Sequence, residues 1–417
     1  NGTIVASGNK NAALKLLPAC LLTDQPVILH NIPNIQDVQN TILILRDLGV
    51  EVIDLGSGSW RIHAQNVHKT ELDSVLASRT RASFVFAGPM LGRLHQIQLP
   101  VPGGDVIGGR PLDTHVQAFR CLGVQVDYSR HGLFDMRAAK LQGAPMLLAE
   151  ASVTATENTI MAAVLAEGTT IINNAASEPH VRDLCDFLNQ LGAQIEGAGT
   201  NRLIIQGLKS LTGGEFTIGA DFMEVGSFIG ATTVTGGEVR IKNADPQNLG
   251  MVRLVYEKIG VHWLDDGEDI VSPASQPIRI ESAVGGRVPH IKPMPWPGFP
   301  PDLMSIAVVI ATQSRGSILL HDWMYESRFF FVDNLVFMGA RIVLCDPHRV
   351  LVQGPSKLYA SSHGVPSPDI RAGMAMVLAA LCADGTSTIH NIQQIDRGYE
   401  SIEQKLQALG AQIERIP

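Results

Sequence analysis

The sequence lacks the short motifs that mark several common enzyme classes. No HExxH, GxSxG or zinc-spaced cluster occurs, and no GKS or GKT follows its Gly-rich segment. Metal hydrolysis, serine-triad chemistry and a Walker phosphate loop therefore have no support. The longest apolar run, 374–383, stops at Asp384-Gly385, which predicts a buried helix and no membrane span.

Cysteine and positive charge are also scarce. The five cysteines stand singly with no CxxC pair, a pattern typical of reduced thiols, so we expect a cytoplasmic protein. The net charge of -8 argues against a nucleic-acid partner. Apolar residues make up 45% of 417 residues, which predicts a large buried interior divided between two domains.

The strongest internal signal is a sixfold repeat of a helix end, a glycine and a strand. Its copies have the form LRDLGVEV, FRCLGVQV, LNQLGAQI, YEKIGVHW, LVFMGARI and LQALGAQI. The repeated glycines are Gly49, Gly123, Gly192, Gly260, Gly339 and Gly410. Glycine accepts the left-handed conformation that ends a helix, and the alternating residues after it predict a strand.

Between these glycines lie helices that are apolar on nearly all sides. Examples are NAALKLLPACLL, TIMAAVLA, GSFIGATTV, LMSIAVVIA and AGMAMVLAAL, and a helix without a polar face must be buried. Strands such as EGTTIINN and GGEVRIKN follow them. We therefore predict an α/β fold of two domains, each an inside-out α/β barrel of three repeated units with buried helices and outer sheets. The alternative is two unrelated α/β domains with similar turns.

Polar residues precede the buried helices at equivalent places in the repeat. They are Asn9 to Asn11, Arg79, Arg81, Ser152 to Thr156, Asp221, Glu224, Asp302, Asp369 and Arg371. Helix starts carry free N–H groups, so several aimed at one place would attract an anion. Each residue taken alone is more typical of a helix cap, and only their shared placement in the repeat favours the anion site.

The Gly-rich segment 99–115, LPVPGGDVIGGRPLDTH, departs most from the repeat in the first half. Its glycine content favours a simple hairpin turn, whereas Asp105 and the Arg110-Pro111 pair make a catalytic loop an equal competitor. The residues alone leave both interpretations open.

Motifs along the whole chain resemble those of the enolpyruvyl transferases. They include SGNKNAAL, RTRASFVFAGP, PGGDVIGGRPLD, SVTATENTIMAAVLAEGTTI, PGFPPDL, ESRFF and IDRGYESIEQKL, in the family's order. The resemblance implies two three-repeat domains, which we place at 11–218 (with loop 99–115) and at 1–10 plus 219–417. It also implies transfer of the enolpyruvyl group of phosphoenolpyruvate to UDP-N-acetylglucosamine, with no metal or organic cofactor and no membrane partner.

By the same resemblance, cations from distant stretches bind phosphoenolpyruvate. The implied residues are Lys10, Asn11, Arg110, Arg328 and Arg397. A trianionic substrate needs such convergent charge, and arginine grips phosphate and carboxylate with a planar fork. The implied sugar-nucleotide residues are Arg81, Arg110, Pro111, Leu112, Asp113, Thr114, Ser152, Val153, Asp302 and Met324.

The implied catalytic residues are Asp105, Lys10, Asp302 and Arg397. Asp302 would take the proton of the acceptor hydroxyl, although it could also cap the helix that follows. Asp105 stands where many family members have the cysteine that fosfomycin alkylates. To donate a proton at neutral pH, it needs a pKa about three units above the ordinary value near 3.9. Further departures are Glu150, where some members have Lys, and Thr154, where Gly is frequent.

Three rival functions remain open. Another acceptor, either a free nucleotide or shikimate 3-phosphate, would keep the chemistry. An RNA-end cyclase shares a related repeat, but it would need ATP and a basic surface. A catalytically dead relative would bind the sugar nucleotide without turnover. Oligomeric state is not determined by the sequence.

Overall fold

The computed structural model describes residues 1–104, 108–129, 132–361 and 363–416. The chain divides into two compact units, each described by itself below. Of the described residues, the first unit holds 8–104 and 110–219, and the second holds 1–7, 108–109 and 220–416. Each unit has its own hydrophobic core.

The α-helices of the described chain vary from four to fourteen residues. They are α1 (Lys10–Ala19), α2 (Gln36–Asp47), α3 (Ser74–Ser78), α4 (Ala87–Leu94), α5 (Asp113–Cys121), α6 (Val153–Ala163), α7 (Pro179–Gln190), α8 (Phe222–Thr235), α9 (Gly250–Glu257), α10 (Met304–Gln313), α11 (Val332–Phe337), α12 (Ile370–Leu381), α13 (Gln393–Asp396) and α14 (Ile402–Ala408). Short 3-10 helices occupy Cys20–Leu22, Arg81–Phe86, Pro246–Leu249 and Pro301–Leu303.

The strands are short and form small sheets. They are β1 (Gly2–Val5), β2 (Val27–His30), β3 (Glu51–Gly56), β4 (Ser59–His63), β5 (Gln96–Pro100), β6 (Gln125–Tyr128), β7 (Leu133–Arg137), β8 (Pro145–Leu147), β9 (Thr169–Asn173), β10 (Gln194–Glu196), β11 (Arg202–Gln206), β12 (Gly214–Thr217), β13 (Val239–Lys242), β14 (Leu264–Asp266), β15 (Asp269–Ser272), β16 (His290–Ile291), β17 (Gly316–His321), β18 (Arg341–Asp346), β19 (Arg349–Gly354), β20 (Val365–Pro366) and β21 (Ile389–His390).

The sheets repeat one pattern. In the first unit the strand orders are β12-β2-β4-β3, β5-β7-β6 and β10-β11-β9-β8. In the second they are β1-β13-β15-β14, β16-β17-β19-β18 and β20-β21. In the four-stranded sheets one edge strand pairs in parallel and the other pairs are antiparallel. This recurrence confirms the predicted two-part α/β architecture built from repeats.

The six repeated glycines behave as predicted. Each has a positive φ, between 85° and 100°, where a side chain would be strained. Strands follow the first five glycines. After Gly410 the prediction of a strand is wrong, because residues 411–416 hold no regular element. A strand needs a hydrogen-bonded neighbour, and none pairs with this stretch in the described residues.

The predicted apolar helices are buried. α8, α10 and α12 fill the core of the second unit, and α1 and α6 fill that of the first. The first unit contains a further buried helix that the sequence analysis does not predict. It consists of the 3-10 helix Arg81–Phe86, which continues directly into α4. Gly88 and Gly92 look like helix breakers, yet they permit close approach to α6, since an added Cβ on Gly88 would lie 2.5 Å from the Asn158 carbonyl.

Candidate active site

The second unit carries a carboxylate held between two arginines. Asp302 lies in the 3-10 helix that leads into α10. Its Oδ1 accepts a hydrogen bond from Arg328 Nη2 at 3.2 Å, and its Oδ2 accepts one from Arg371 Nε at 3.1 Å. The alternative that Asp302 caps α10 is wrong, because no side-chain hydrogen bond caps that helix in the described chain.

The two arginines are buried, with side chains only 3% and 5% exposed. Burial alone would lower the pKa of Arg328, but Asp302 and Asp369 outweigh it, so the pKa lies above its ordinary value. Burial would also lower the pKa of Arg371. Tyr399 and Asp302 outweigh that effect, so the pKa of Arg371 lies above its ordinary value. Both side chains therefore stay cationic. Arg371 Nη1 has no hydrogen-bond partner in the described chain, and such buried donors need a partner, so the cluster is suited to receive an anion.

Asp322 organises the neighbouring turn. Its Oδ1 accepts hydrogen bonds from the Met324 amide at 2.9 Å and the Tyr325 amide at 3.1 Å. Its Oδ2 lies 3.7 Å from Arg328 Nε. Burial raises the pKa of Asp322, and Arg328 opposes that rise. One carboxylate thus places Met324 beside the arginine cluster.

The IDRGYE segment joins the same cluster through its tyrosine. Tyr399 is buried, its hydroxyl lies 2.9 Å from that of Ser227 on α8, and its ring lies 5.2 Å from Arg371 Cζ. Arg397, two residues earlier, is half-buried and donates from Nη1 to Gln394 Oε1 at 2.9 Å. The predicted residues Asp302, Met324, Arg328 and Arg397 therefore belong to connected parts of the second unit.

In the first unit, Lys10 is the first residue of α1. Asn9 caps this helix by accepting a hydrogen bond from the Ala12 amide at 3.0 Å. Lys10 Nζ lies 2.9 Å from Asp37 Oδ2, and both side chains are less than a tenth exposed. Asn11 is half-buried. A cap and an ion pair therefore hold the lysine at the start of the buried helix.

The proposed sugar-nucleotide residues of the first unit come from three segments. Arg81, at the start of its 3-10 helix, donates from Nη2 to the Arg110 carbonyl. Thr114 donates to Glu150 Oε1 at 3.3 Å, so the carboxylate of Glu150 contacts the start of α5. Ser152 caps α6, which begins at Val153.

Residues 105–107 lie outside the described residues, so the structure does not test the prediction that Asp105 is catalytic. Next to them, the Gly109 amide donates to Glu326 Oε2 at 3.1 Å. Gly108 has a φ of 133°, which favours glycine, and a Cβ there would lie 1.8 Å from the same carboxylate. Glu326 was not foreseen from the sequence.

The described residues also bear on a metal site and on a membrane span. Across the described ranges, no group of three or more His, Cys, Asp or Glu side chains is placed to hold a metal ion. None of the helices in the part of the chain that the structure covers combines the length and the apolar character needed to cross a bilayer.

Sequence reasoning placed Asp302, Met324 and Arg328 in the site but left out Arg371 and Asp322. Arg371 is among the polar residues that precede the buried helices. Its position after Asp369 in the repeat is the sequence signal that could have identified it as a site residue. No sequence signal marks Asp322, since only the tertiary contact with Arg328 identifies it.

Comparison with known proteins identifies the family of the chain. The family model of EPSP synthase (3-phosphoshikimate 1-carboxyvinyltransferase) matches residues 1–406. The UDP-N-acetylglucosamine 1-carboxyvinyltransferase of Treponema denticola is 50% identical over 414 residues, which are 99% of this chain and 96% of that protein. The protein of the same name from Bradyrhizobium diazoefficiens is 50% identical over 417 residues, covering 100% and 96%.

Solved structures share the fold at low identity. The enolpyruvyl transferase NikO from Streptomyces tendae superposes with a TM-score of 0.88 at 22% identity, covering 99% of this chain and 96% of that one. EPSP synthase from Acinetobacter baumannii gives a TM-score of 0.74 at 17% identity, covering 99% and 96%. These neighbours confirm the predicted two-domain α/β fold, while the inside-out barrel detail stays a prediction.

Proposed function

The chain belongs to the EPSP synthase family of 1-carboxyvinyl transferases, and on that premise we propose that it transfers the enolpyruvyl group of phosphoenolpyruvate to the 3-hydroxyl of UDP-N-acetylglucosamine, releasing phosphate. The observation that carries this proposal is the 50% identity to transferases of that name over 99% to 100% of the chain. The fold alone does not choose the acceptor, since its structural neighbours include an EPSP synthase, a name that the family description equates with 3-phosphoshikimate 1-carboxyvinyltransferase.

The arginine cluster of the second unit supports the anionic donor. Arg328 and Arg371 are buried cations that share Asp302, and guanidinium forks match phosphate and carboxylate oxygens. The resemblance adds Lys10, Arg110 and Arg397 as further cations for phosphoenolpyruvate, and Asn11 as a neutral hydrogen-bonding residue. Arg371 is an addition to the residues expected from the sequence.

The reaction would proceed by addition and elimination. Asp105 protonates the methylene carbon of phosphoenolpyruvate, and the neighbouring carbon is attacked by the acceptor hydroxyl, whose proton passes to Asp302. The tetrahedral adduct then loses a proton from the new methyl group and expels phosphate, which restores the double bond. The cations stabilise the negative charge that moves through these steps.

The acceptor would be held by the residues that the family resemblance implies. They are Arg81, Arg110, Pro111, Leu112, Asp113, Thr114, Ser152, Val153, Asp302 and Met324. The hydrogen bonds from Arg81 to the Arg110 carbonyl and from Thr114 to Glu150 support the grouping of the residues that lie in the first unit. As the relatives' name implies, such an enzyme would serve the first committed step of peptidoglycan precursor synthesis, in the cytoplasm.

A phosphate-release assay tests the proposal. The purified full chain is incubated with phosphoenolpyruvate and, in separate arms, UDP-N-acetylglucosamine, shikimate 3-phosphate or a free uridine nucleotide. We expect acceptor-dependent phosphate release with UDP-N-acetylglucosamine alone, and a product heavier than the acceptor by the enolpyruvyl group. Turnover with another acceptor and none with this one would overturn it. Tight binding without turnover would indicate the catalytically dead relative.

A further inference from the structure

A buried hydrogen-bonded network joins the three segments of the first unit that carry the proposed acceptor-binding residues. His115 on α5 is 2% exposed and Asn158 on α6 is fully buried. His115 Nε2 lies 3.0 Å from Thr154 Oγ1, and His115 Nδ1 lies 3.0 Å from Asn158 Nδ2. Neither His115 nor Asn158 is among the residues assigned to substrate above.

Backbone groups determine the orientation of the Asn158 amide. Its Oδ1 accepts from the Gly88 amide at 2.7 Å, and its Nδ2 donates to the Phe84 carbonyl at 3.0 Å. A backbone N–H can only donate and a carbonyl can only accept, so the Asn158 nitrogen must face His115 as a donor.

The imidazole is therefore a single neutral tautomer. His115 Nδ1 must accept from Asn158, which leaves the proton on Nε2, where it donates to Thr154 Oγ1. Burial, and then the charge of Arg81, lower the pKa of His115 to about 3. The tautomer thus persists across the whole range in which the enzyme would work.

Packing around the network leaves little room for movement. The Phe84 and His115 rings meet edge to face with centroids 5.0 Å apart. An added Cβ on Gly88 would lie 2.8 Å from Asn158 Oδ1, so glycine is what allows α4 to approach α6 this closely. Rigid support of this kind keeps binding residues in place.

We propose that His115, as a neutral Nε2–H imidazole held by Asn158, is a positioning residue that sets the starts of α5 and α6 for binding of the UDP-sugar acceptor. It directly follows the Arg110–Thr114 stretch, and its partner Thr154 directly follows Ser152 and Val153. The Phe84 carbonyl accepts a hydrogen bond from Asn158, which connects α5 and α6 to the 3-10 helix that begins with Arg81. The proposal rests on the proposed function, and it gives Thr154 a role as the hydroxyl that accepts from His115.

The test measures KM for each substrate separately in the full-length enzyme. Thr154→Val keeps the side-chain shape but removes the acceptor for His115. We expect KM for UDP-N-acetylglucosamine to rise about two- to tenfold, the range for one lost neutral hydrogen bond, with KM for phosphoenolpyruvate and kcat within about twofold. Thr154→Ser, which retains a hydroxyl, should restore the KM.

Thr159→Val is the matched control. Thr159 lies on the same helix, is fully buried, and donates only to the Ala155 carbonyl at 2.7 Å. Its substitution should leave both KM values unchanged. An equal rise in the acceptor KM with this variant would show that any loss of a helix hydroxyl has the effect, and would overturn the proposal.

His115→Phe completes a double-mutant cycle. If Thr154 acts through His115, adding Thr154→Val to His115→Phe should raise the acceptor KM no further. A full additional rise would show that Thr154 acts on the ligand directly, which overturns the proposal. Should His115→Phe fail to fold, the Val, Ser and control variants still decide: an unchanged KM in Thr154→Val refutes the positioning role alone, whereas an inactive wild-type enzyme refutes the proposed function as well.

Discussion

Glu157 should make the stability of the first unit fall as the pH rises. This residue is fully buried on α6, and neither of its carboxylate oxygens has a hydrogen-bond partner in the described chain. Lys15 Nζ lies 3.6 Å from Oε2 and His180 Nε2 lies 3.9 Å from Oε1. Burial raises the pKa of Glu157 to about 8, Lys15 opposes the rise, and the charge of Glu178 adds to it.

The sign follows from proton binding. Between the unfolded value of 4.5 and about 8, the folded chain keeps a proton on Glu157 that the unfolded chain has released. Stability therefore decreases as the pH rises through this window. At 1.36 kcal/mol for each pH unit, the decrease reaches about 5 kcal/mol as an upper bound.

Glu157→Gln replaces the protonated acid by a neutral group of the same shape. Urea unfolding of both proteins from pH 5 to 9 should give similar midpoints near pH 5, a variant that becomes progressively more stable than wild type up to about pH 8, and a constant difference above that pH. Glu167→Gln serves as control, because the pair of Glu167 with Lys140 is exposed and such pairs contribute at most about 1 kcal/mol.

A variant that is less stable than wild type by the same amount at every pH would refute this reasoning. It would show that Glu157 is ionised throughout and that its ion pair with Lys15 stabilises the fold.

Three further perturbations have defined outcomes. Asp302→Asn should lower kcat by about 10²- to 10⁴-fold, as expected for loss of a general base, and phosphate release near the wild-type rate would remove Asp302 from that role. The wild-type enzyme should resist fosfomycin because a carboxylate is a poorer nucleophile than a thiolate, whereas Asp105→Cys should be inactivated over time; a covalent adduct on wild-type Asp105 in mass spectrometry would contradict this. Gly88→Ala should lower the free energy of unfolding by about 1–3 kcal/mol, since its Cβ meets Asn158, while Gly250→Ala, with open space around it, should change it little; equal effects in urea unfolding would argue against the close helix contact.

The repeat made most of the fold predictable. Burial and helix termination are local consequences of composition, because a helix apolar on all sides must lie in a core and a left-handed helix end selects glycine. The six glycines and five apolar helices could therefore be placed from the chain alone. The buried helix at Arg81–Leu94 was missed because its glycines look like breakers, and only the neighbouring helix shows why they are needed.

Residues of the cluster around Asp302 could be predicted where they lie in a recognisable motif. They could not be predicted where only a tertiary contact identifies them. Asp302, Arg328 and Arg397 stand in recognisable segments, and the structure connects their surroundings within the second unit. Arg371 and Asp322 belong to that cluster because of distances that no spacing in the sequence encodes. The roles of Asp105 and of the other predicted site residues stay predictions.

The sequence by itself determined the elements, their repetition and the residue types able to bind a multiply charged anion. The tertiary structure decided which of those residues share a partner, that His115 holds one neutral tautomer, and that Glu157 is buried with no hydrogen-bond partner among the described residues. The physical reason is that propensity, patterning and capping act within a few residues of the chain, whereas hydrogen-bond partners and desolvation depend on groups that only folding brings together.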